Sequence, residues 1–523
     1  LAIGLGAALI ALWSHREPLA KEAIDDFLAQ RGVKASYEIK AIETRRQRLE
    51  KVRIGDPQRP DLTADWLEID VGPSLSGLSI KAVRAGGVRL RARVIDQKMS
   101  MGIVDRLLPP PSQEPFRLPR LDVALEDARA QVETPYGPIG LRLDGQGGLR
   151  AGFEGRLMLL APQIAALGCT AQRLSVSGDV AVIGARPSFS GPIRFAKLGC
   201  ANLTGEAGDI QLDASIAEDG RDWRGAARAA LARLTQGDLT ARGGDATFEF
   251  SGDTQKTSAK FQLGLASLVG RDVAALQARA DGDVVWSARG LETAGQARVL
   301  RLMPGRQTRQ IAQQLRGLGG ATPIGPVARQ LATAVDGLSR GVTGQARFAA
   351  SHRNGKFAVN LFDIGLLSAS GVVLRMPGKD VVTANNSGLF LRGMARFGGG
   401  LFPSGRALFA GQSGTLNFQP YVADGARLTL APTRISLGAQ GVSLKTVATL
   451  DGPLGTGWIS GLTLPIRMEK GALWRGCLPI RYRAVRIAQL RLSPAVMTAC
   501  LGQRDVRLAP VRLVGVLDTS PIR

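Results

Sequence analysis

Short segments in which apolar and polar residues alternate are the feature that most constrains how this chain can fold. In residues 66–71, Leu67, Ile69 and Val71 alternate with Glu68 and Asp70. A period of two residues gives a strand one apolar face and one polar face. The same alternation recurs at 88–94 and 357–361, with apolar positions Val88, Leu90, Ala92, Val94, Phe357, Val359 and Leu361. The pattern predicts a mainly β protein with a long, one-sided apolar surface.

The composition agrees with many short strands joined by tight turns. The 523 residues include 65 glycines, and only 5% are aromatic. Glycine-containing pairs such as Gly86-Gly87, Asp144-Gly145 and Asp281-Gly282 separate the apolar segments and are typical of turns. With one strand in about every 10–12 residues, we expect roughly 35–45 strands. Residues 223–234 fit either a helix or a strand.

The formal net charge of +23 has two interpretations. A nucleic-acid-binding protein is one of them. However, basic residues are spread along the whole chain, and aromatic residues that would stack on bases are scarce. Arginines on the polar face of strands, as at Arg89, Arg91 and Arg93, account for the charge more simply. Such a surface also suits contact with anionic lipid head groups.

The four cysteines form two separated pairs, Cys169 with Cys200 and Cys477 with Cys500. With no Cys-x-x-Cys motif and only two histidines, a zinc site is not indicated. We predict two structural disulfides in an oxidising compartment. The alternative is four buried free thiols.

The N-terminal segment Leu1–Trp13 is uninterrupted and apolar. Thirteen residues are too few to span a bilayer, which needs roughly 20, so we interpret the segment as the remaining part of an uncleaved signal anchor. A removed signal peptide is the alternative. Between Pro18 and Gly32 a second helix is predicted, which would close the first open end of the sheet. Its apolar face would be formed by Leu19, Ala23, Phe27 and Leu28.

Helical spacing replaces alternation between Gly305 and Ser339. Apolar residues there recur every three or four positions, at Ile311, Leu315, Val327, Leu331, Val335 and Leu338. A helical pair is therefore predicted, either a lid or a brace on the β body, and we favour a brace. The expected segments are an anchor and capping helix at 1–35, β segments at 36–301 and 341–523, and a helical insert at 302–340.

Sequence signatures of catalysis are weak. One Gly-x-Ser-x-Gly motif occurs, at residues 337–341, but a helix precedes it and strands follow, the reverse of a nucleophile elbow. With two histidines in the chain, a histidine acid–base pair is improbable. We expect no enzyme, no cofactor and no bound metal.

Residues 63–71 and 87–96, followed by Leu107-Leu108-Pro109-Pro110-Pro111, resemble the first repeat of the AsmA-like family. Within that family the chain is most similar to the YdbH branch, whose relatives include TamB and YhdP. The resemblance is clearest over about residues 1–135. Many relatives have Asp-Gly where this chain has Asp96-Gln97.

The resemblance implies a curled antiparallel β-sheet groove of many short strands, with an N-terminal membrane helix in the inner membrane and the bulk in the periplasm. It implies phospholipid as the cargo, carried between the inner and outer membranes, and an outer-membrane lipoprotein or barrel as a further partner. The alternating residues of the opening paragraph would line the groove. A scaffold for outer-membrane protein assembly is the second functional hypothesis. The structural alternative is a set of sandwiches whose apolar faces pack together.

Overall fold

The computed structural model describes residues 16–43, 46–74, 77–95, 98–107, 117–166, 168–271, 273–378, 381–438, 441–469, 472–473, 476–501 and 506–508. Strands contain 74% of these residues, which confirms the mainly β fold. The predicted anchor segment Leu1–Trp13 lies outside the described residues. No helix within the described ranges has the length and apolar character needed to cross a membrane.

Chain contacts divide the protein into two units, residues 1–237 with 242–261 and residues 238–241 with 262–523. The described elements of the first unit are α1 (Arg16–Gln30), β1 (Ala35–Ile42), β2 (Arg46–Gly55), β3 (Pro60–Ser74), β4 (Gly77–Gly86), β5 (Arg89–Ile95), β6 (Lys98–Ser100), a 3-10 helix (Gly102–Leu107), β7 (Asp122–Thr134), β8 (Gly137–Gly148), β9 (Ala151–Ala166), β10 (Cys169–Ile183), β11 (Arg186–Cys200), β12 (Leu203–Ile216) and β13 (Asp222–Gln236). Strands β14 (Leu239–Asp253) and β15 (Lys256–Val269) carry residues of both units.

The second unit is also built mainly of strands, with two helices inserted after its second strand. Its described elements are β16 (Val273–Ser287), β17 (Gly290–Pro304), α2 (Arg306–Arg316), α3 (Ile324–Ser339), β18 (Val342–Arg353), β19 (Lys356–Ser368), β20 (Val373–Met376), β21 (Val381–Asn385), β22 (Gly388–Gly399), β23 (Phe402–Gly411), β24 (Ser413–Phe418), β25 (Tyr421–Ala423), β26 (Ala426–Leu430), β27 (Thr433–Gly438), β28 (Gly441–Leu454), β29 (Gly457–Glu469), β30 (Ala472–Leu473), β31 (Gly476–Tyr482), β32 (Ala484–Ile487), β33 (Leu490–Leu492), β34 (Ala495–Leu501) and β35 (Val506–Leu508).

Most neighbouring strands are antiparallel, and in the first unit β7 to β13 each pair with the next strand in the chain. One joint differs from the expected all-antiparallel sheet. Strand β7 runs parallel to β4 and to β5. The segment at 223–234, which fits helix or strand by sequence, forms most of β13.

A crease crosses the strands of the first unit at a constant distance from the strand ends. Arg173 and Ala207, each the fifth residue of its strand, have φ values of 52°. In β12 the residues that point to the buried side, Gly205 and Gly208, are three positions apart instead of two. The ladder aligns the polar residues beside this kink in one row across five strands: Gln163, Gln172, Lys197, Glu206 and Arg233. Because the alternation shifts in every strand at the same row, the sheet can bend there without losing its apolar face.

The disulfide prediction is confirmed for the first cysteine pair. Cys169 and Cys200 are directly opposed on β10 and β11 and are joined by a disulfide, with their Cα atoms 4.2 Å apart. Cys477 is also disulfide-bonded, and Cys500 opposes it in the ladder between β31 and β34. The bond between Cys169 and Cys200 therefore links two neighbouring strands of one sheet.

Arginines and carboxylates pair across strands on the polar face. The Asp70 carboxylate accepts hydrogen bonds from Arg46 Nε at 3.0 Å and from Arg84 Nη1 at 2.9 Å, one on each neighbouring strand. These two hydrogen bonds hold the pKa of Asp70 below its usual range, and the one from Arg46 contributes most. Arg89, Arg91 and Arg93 are exposed on the polar side of β5, as the sequence indicates.

We expect the backbone of Ala207 to be a sensitive point of the crease. Ala207→Val should lower the free energy of unfolding by about 1–3 kcal/mol, since a β-branched residue strains the left-handed conformation. Ala207→Gly should be neutral or stabilising, because glycine adopts positive φ readily. Thermal unfolding of the two variants checks this, and equal losses in both would contradict a conformational cause.

Acid should weaken the polar face through Asp70. A carboxyl whose pKa is lowered by folding contributes stability above its unfolded pKa of about 3.9, and that contribution disappears as the pH falls through the folded value. Asp70→Asn should therefore flatten the decline of the thermal midpoint below about pH 4. Thermal midpoints between pH 7 and 3 test this, with Asp245→Asn at an exposed position as control.

Candidate functional site

The sheet of the first unit carries a continuous row of apolar side chains on one face. Residues that are directly opposed in a ladder point to the same side, and the registers connect nine such residues across nine strands. We call this the apolar row; its members are Leu62, Leu90, Ala130, Leu141, Leu159, Val176, Ile193, Ile210 and Ala229. With strands about 4.8 Å apart, its eight steps extend for about 38 Å along the sheet.

The residues of the first unit that the sequence predicts to line the groove lie on this face. Leu90 is a member of the apolar row, and Leu62 joins β3 to it directly. Leu67 and Val88 both pack against the same small cluster of Leu49, Val52 and Ala64. Ile69 and Val71 continue the face along β3, and Ala92 and Val94 continue it along β5.

The three candidates of the second unit lie on β19. The ladder places Val359 opposite Ala350 and Leu361 opposite Phe348. Phe357 stands at the end of the strand and is 44% exposed. The structure therefore assigns the predicted residues to two apolar faces, one in each unit.

The side chains of the apolar row are only half-buried. All nine are neither fully buried nor fully exposed. In a sandwich, an opposing sheet about 10 Å away would cover such residues. Among the described residues, the largest fully buried side chains are those of Thr433 and Pro323, neither of them on this face.

The exposed area agrees with an uncovered face. The chain has a solvent-accessible surface of 33625 Å², whereas a compact monomer of its mass would expose about 18,000 Å². Two separate compact bodies of half that mass would together expose about 22,000 Å². The chain therefore exposes more surface than compact bodies of its mass would.

Helix α1 closes the beginning of the apolar face. Ile24 packs against the cluster of Leu49, Val52 and Ala64. The Tyr37 hydroxyl on β1 donates a hydrogen bond to Asp25 Oδ1 at 2.7 Å, and burial together with this carboxylate raises the pKa of Tyr37. Leu28 of the predicted helix face is half-buried, while the side chains of Leu19, Ala23 and Phe27 lie outside the described residues.

The opposite face of the same strands carries a large polar recess of about 1150 Å³ between β4 and β10. Its charges neutralise one another: Arg142 pairs with Asp144 at 2.9 Å, and Arg156 lies 3.5 Å from Asp179. The pKa of Asp144 is lowered, first by the backbone N–H of Asp127 and then by Arg142. The lining holds three arginines and four carboxylates, together with apolar side chains such as Val123, Met158 and Val180.

The motif at residues 337–341 ends helix α3. The Ser339 hydroxyl donates a hydrogen bond to the Asp336 carbonyl at 2.6 Å, a bond typical of a helix end. Within the described ranges, no three His, Cys, Asp or Glu side chains are grouped so that they could hold a metal ion.

Only part of this site could be recognised from the sequence. The alternating segments at 66–71 and 88–94 are regular enough to show their apolar side. Leu141, Leu159, Val176, Ile193 and Ile210 were not singled out. Their alternation is visible in the sequence, but their alignment in one row depends on the register of six successive strand pairs.

One comparison with known proteins identifies the family. The model of the YdbH-like family, described as intermembrane phospholipid transport protein YdbH, matches residues 4–523. No similar curated protein and no similar solved structure is found. The match covers nearly the whole chain and agrees with a long apolar face whose row of side chains is only partly buried in the first unit. This chain therefore belongs to the YdbH-like family of intermembrane phospholipid transport proteins.

Proposed function

We propose that this protein carries phospholipid between the inner and outer membranes along the apolar faces of its sheets, as a bridge-like transfer protein. The half-buried apolar row of the first unit is the observation that carries this proposal. The row offers apolar contact over about 38 Å without a gap between strands. Lipid head groups would remain at the polar margin, in water.

The transfer free energy explains why such a continuous surface is needed. A diacyl phospholipid has on the order of 30 methylene groups, each worth about 0.8 kcal/mol on transfer from water. Leaving a bilayer unassisted therefore costs roughly 20 kcal/mol or more. A protein that shields the acyl chains at each step removes most of that barrier and needs no tight site.

Small side chains keep space above the strands. The apolar row includes Ala130 and Ala229. Acyl chains can lie along such a surface, where larger side chains would fill the space themselves.

The cellular setting of the proposal comes from the family. An envelope location agrees with the family and with the disulfides. We propose that the segment at 1–13 anchors the protein in the inner membrane and that the strands lie in the periplasm. An outer-membrane lipoprotein or barrel would be the acceptor-side partner. The chain would act without a cofactor and without binding nucleic acid.

Site-specific crosslinking tests the proposal with neighbouring residues on opposite faces. A photoreactive amino acid at Leu159, in the apolar row, should capture phospholipid in cells. At Leu160, which is 63% exposed on the other face, it should capture at least fivefold less. Leu67, Ile69 and Leu90 should behave like Leu159. Equal capture at Leu159 and Leu160, or none at any position, would contradict the proposal. Recovery of an outer-membrane barrel protein without lipid would favour the scaffold hypothesis.

A charge placed in the apolar row should interrupt transfer. Ile210→Glu puts a carboxylate in the path of the acyl chains, where a charge costs about 2.5–3.5 kcal/mol in a comparable apolar environment. Phospholipid transfer between donor and acceptor vesicles should fall at least tenfold. Gln211→Glu, the next residue and exposed on the polar face, should leave transfer within twofold of the unaltered protein. Equal loss in both variants would indicate a folding defect, and no loss in Ile210→Glu would contradict a path along this row.

A further inference from the structure

Helix α3 covers part of the apolar face of the second unit. Val327 belongs to one buried cluster with Tyr421, Ala423, Ala426 and Leu450. Ile324 of α3 and Leu428, Leu462 and Leu464 of the sheet pack around that cluster. Leu428, Leu450 and Leu462 are directly opposed across three strands, so the cluster lies on one face. The helix thus takes the place that an acyl chain would have on this surface.

Helix α3 lies across several strands of the second unit. The helix contacts β17 as well as β25 and β26. Its 16 residues are about 24 Å long. The path along the sheet from β17 to β27 has seven steps of about 4.8 Å, or about 34 Å in all. It passes through β18, β19, β21, β22, β23 and β24. Strand β27 lies in line with β26, since both pair with β28. The contacts of one helix about 24 Å long with strands seven steps apart agree with a sheet that curves around it.

The contact surface of α3 is smooth and nearly apolar. Ala328, Ala332, Ala334 and Gly337 are buried, and Ala332 is 0% exposed. The direct polar links between this region and the sheet include Gln330 Nε2 to the Val422 carbonyl at 3.1 Å and the Gly455 N–H to the Ala321 carbonyl at 2.8 Å. Among the described contacts, α3 can therefore separate from the sheet without breaking a buried ion pair.

Glycines flank the helix at both ends. Gly319 and Gly320 precede α3 with φ values of 86° and 44°, and Gly341 follows it with a φ of 126°. Within the hairpin, Arg316 Nη2 lies 3.1 Å from Asp336 Oδ2 and ties α2 to α3. The two helices are therefore held to each other by charge and to the sheet mainly by apolar contact.

We propose that the face beneath α3 is an acyl-chain binding site, which the α2–α3 hairpin occupies when no lipid is bound there. Phospholipid moving along the second unit displaces the hairpin and takes over its apolar contacts. The hairpin returns when the lipid leaves, so the apolar floor is not exposed to water between lipids. This inference rests on the proposed function and adds to it a site with an internal occupant.

Deletion of the hairpin is a direct test, because β17 and β18 are already neighbours. Leu302 and Val342 are register partners, so residues 303–341 can be replaced by an Asn-Gly turn. A photoreactive amino acid at Leu464 should then capture at least fivefold more phospholipid than in the full chain. Capture at Leu159, in the first unit, should stay within twofold.

A point substitution makes the same test without removing residues. Ala332→Glu places a charge at a fully buried position of α3 and should loosen the packing of the α2–α3 hairpin, while glutamate keeps the helix propensity high. Thr333→Glu, the next and exposed residue, is the matched control. Phospholipid capture at Leu464 should rise in Ala332→Glu and should not rise in Thr333→Glu. Far-ultraviolet circular dichroism of each variant shows whether the strands remain folded.

The outcomes separate the two proposals. Increased capture at Leu464 in both the deletion and Ala332→Glu supports a displaceable occupant. Unchanged capture at Leu464, with capture at Leu159 intact and the strands folded, would overturn this inference and leave the proposed function standing. Absence of capture at both positions in the unaltered protein would overturn the proposed function and this site together.

Discussion

Direct opposition of apolar residues across neighbouring strands, which places them in one partly exposed row in the first unit, is the constraint on which the rest of the structure depends. Hydrogen-bonded ladders satisfy the backbone, so a single sheet can be stable along its length without a thick core. The apolar side chains are then left half-exposed. In water such a surface is unfavourable, and a ligand with long apolar chains relieves it.

The polar face and the crease make this arrangement possible. Arginines that pair across strands, such as Arg46 and Arg84 around Asp70, give the outer side a charged surface that disfavours stacking on another sheet. At Arg173 and Ala207 the left-handed backbone shifts the alternation by one residue. The strand bends there and still keeps its apolar residues on one side, and in the first unit the disulfide between Cys169 and Cys200 holds two of the creased strands together.

Helices appear where the apolar face would otherwise end or stay open. Ile24 of α1 packs on the beginning of the face in the first unit, and Val327 of α3 packs on the face of the second. Tyr37 and Asp25 fasten α1 to β1. For α3, our proposal makes the distinction between brace and lid depend on the ligand, because Ile324 and Val327 hold the helix on the sheet by apolar contacts that an acyl chain could also make.

The amino-acid sequence by itself determined the strands, their apolar side, the pairing of Cys169 with Cys200 and the presence of a helical pair near residue 320. These follow from local patterns: alternation with period two, helical spacing and the spacing of four cysteines. Only the tertiary structure decided that Leu90, Leu159 and Ile193 stand in one row, because register between strands is a non-local property. It also decided the parallel pairing of β5 with β7 and the position of α3 over Leu450. Both depend on contacts between distant parts of the chain, which no short segment of sequence specifies.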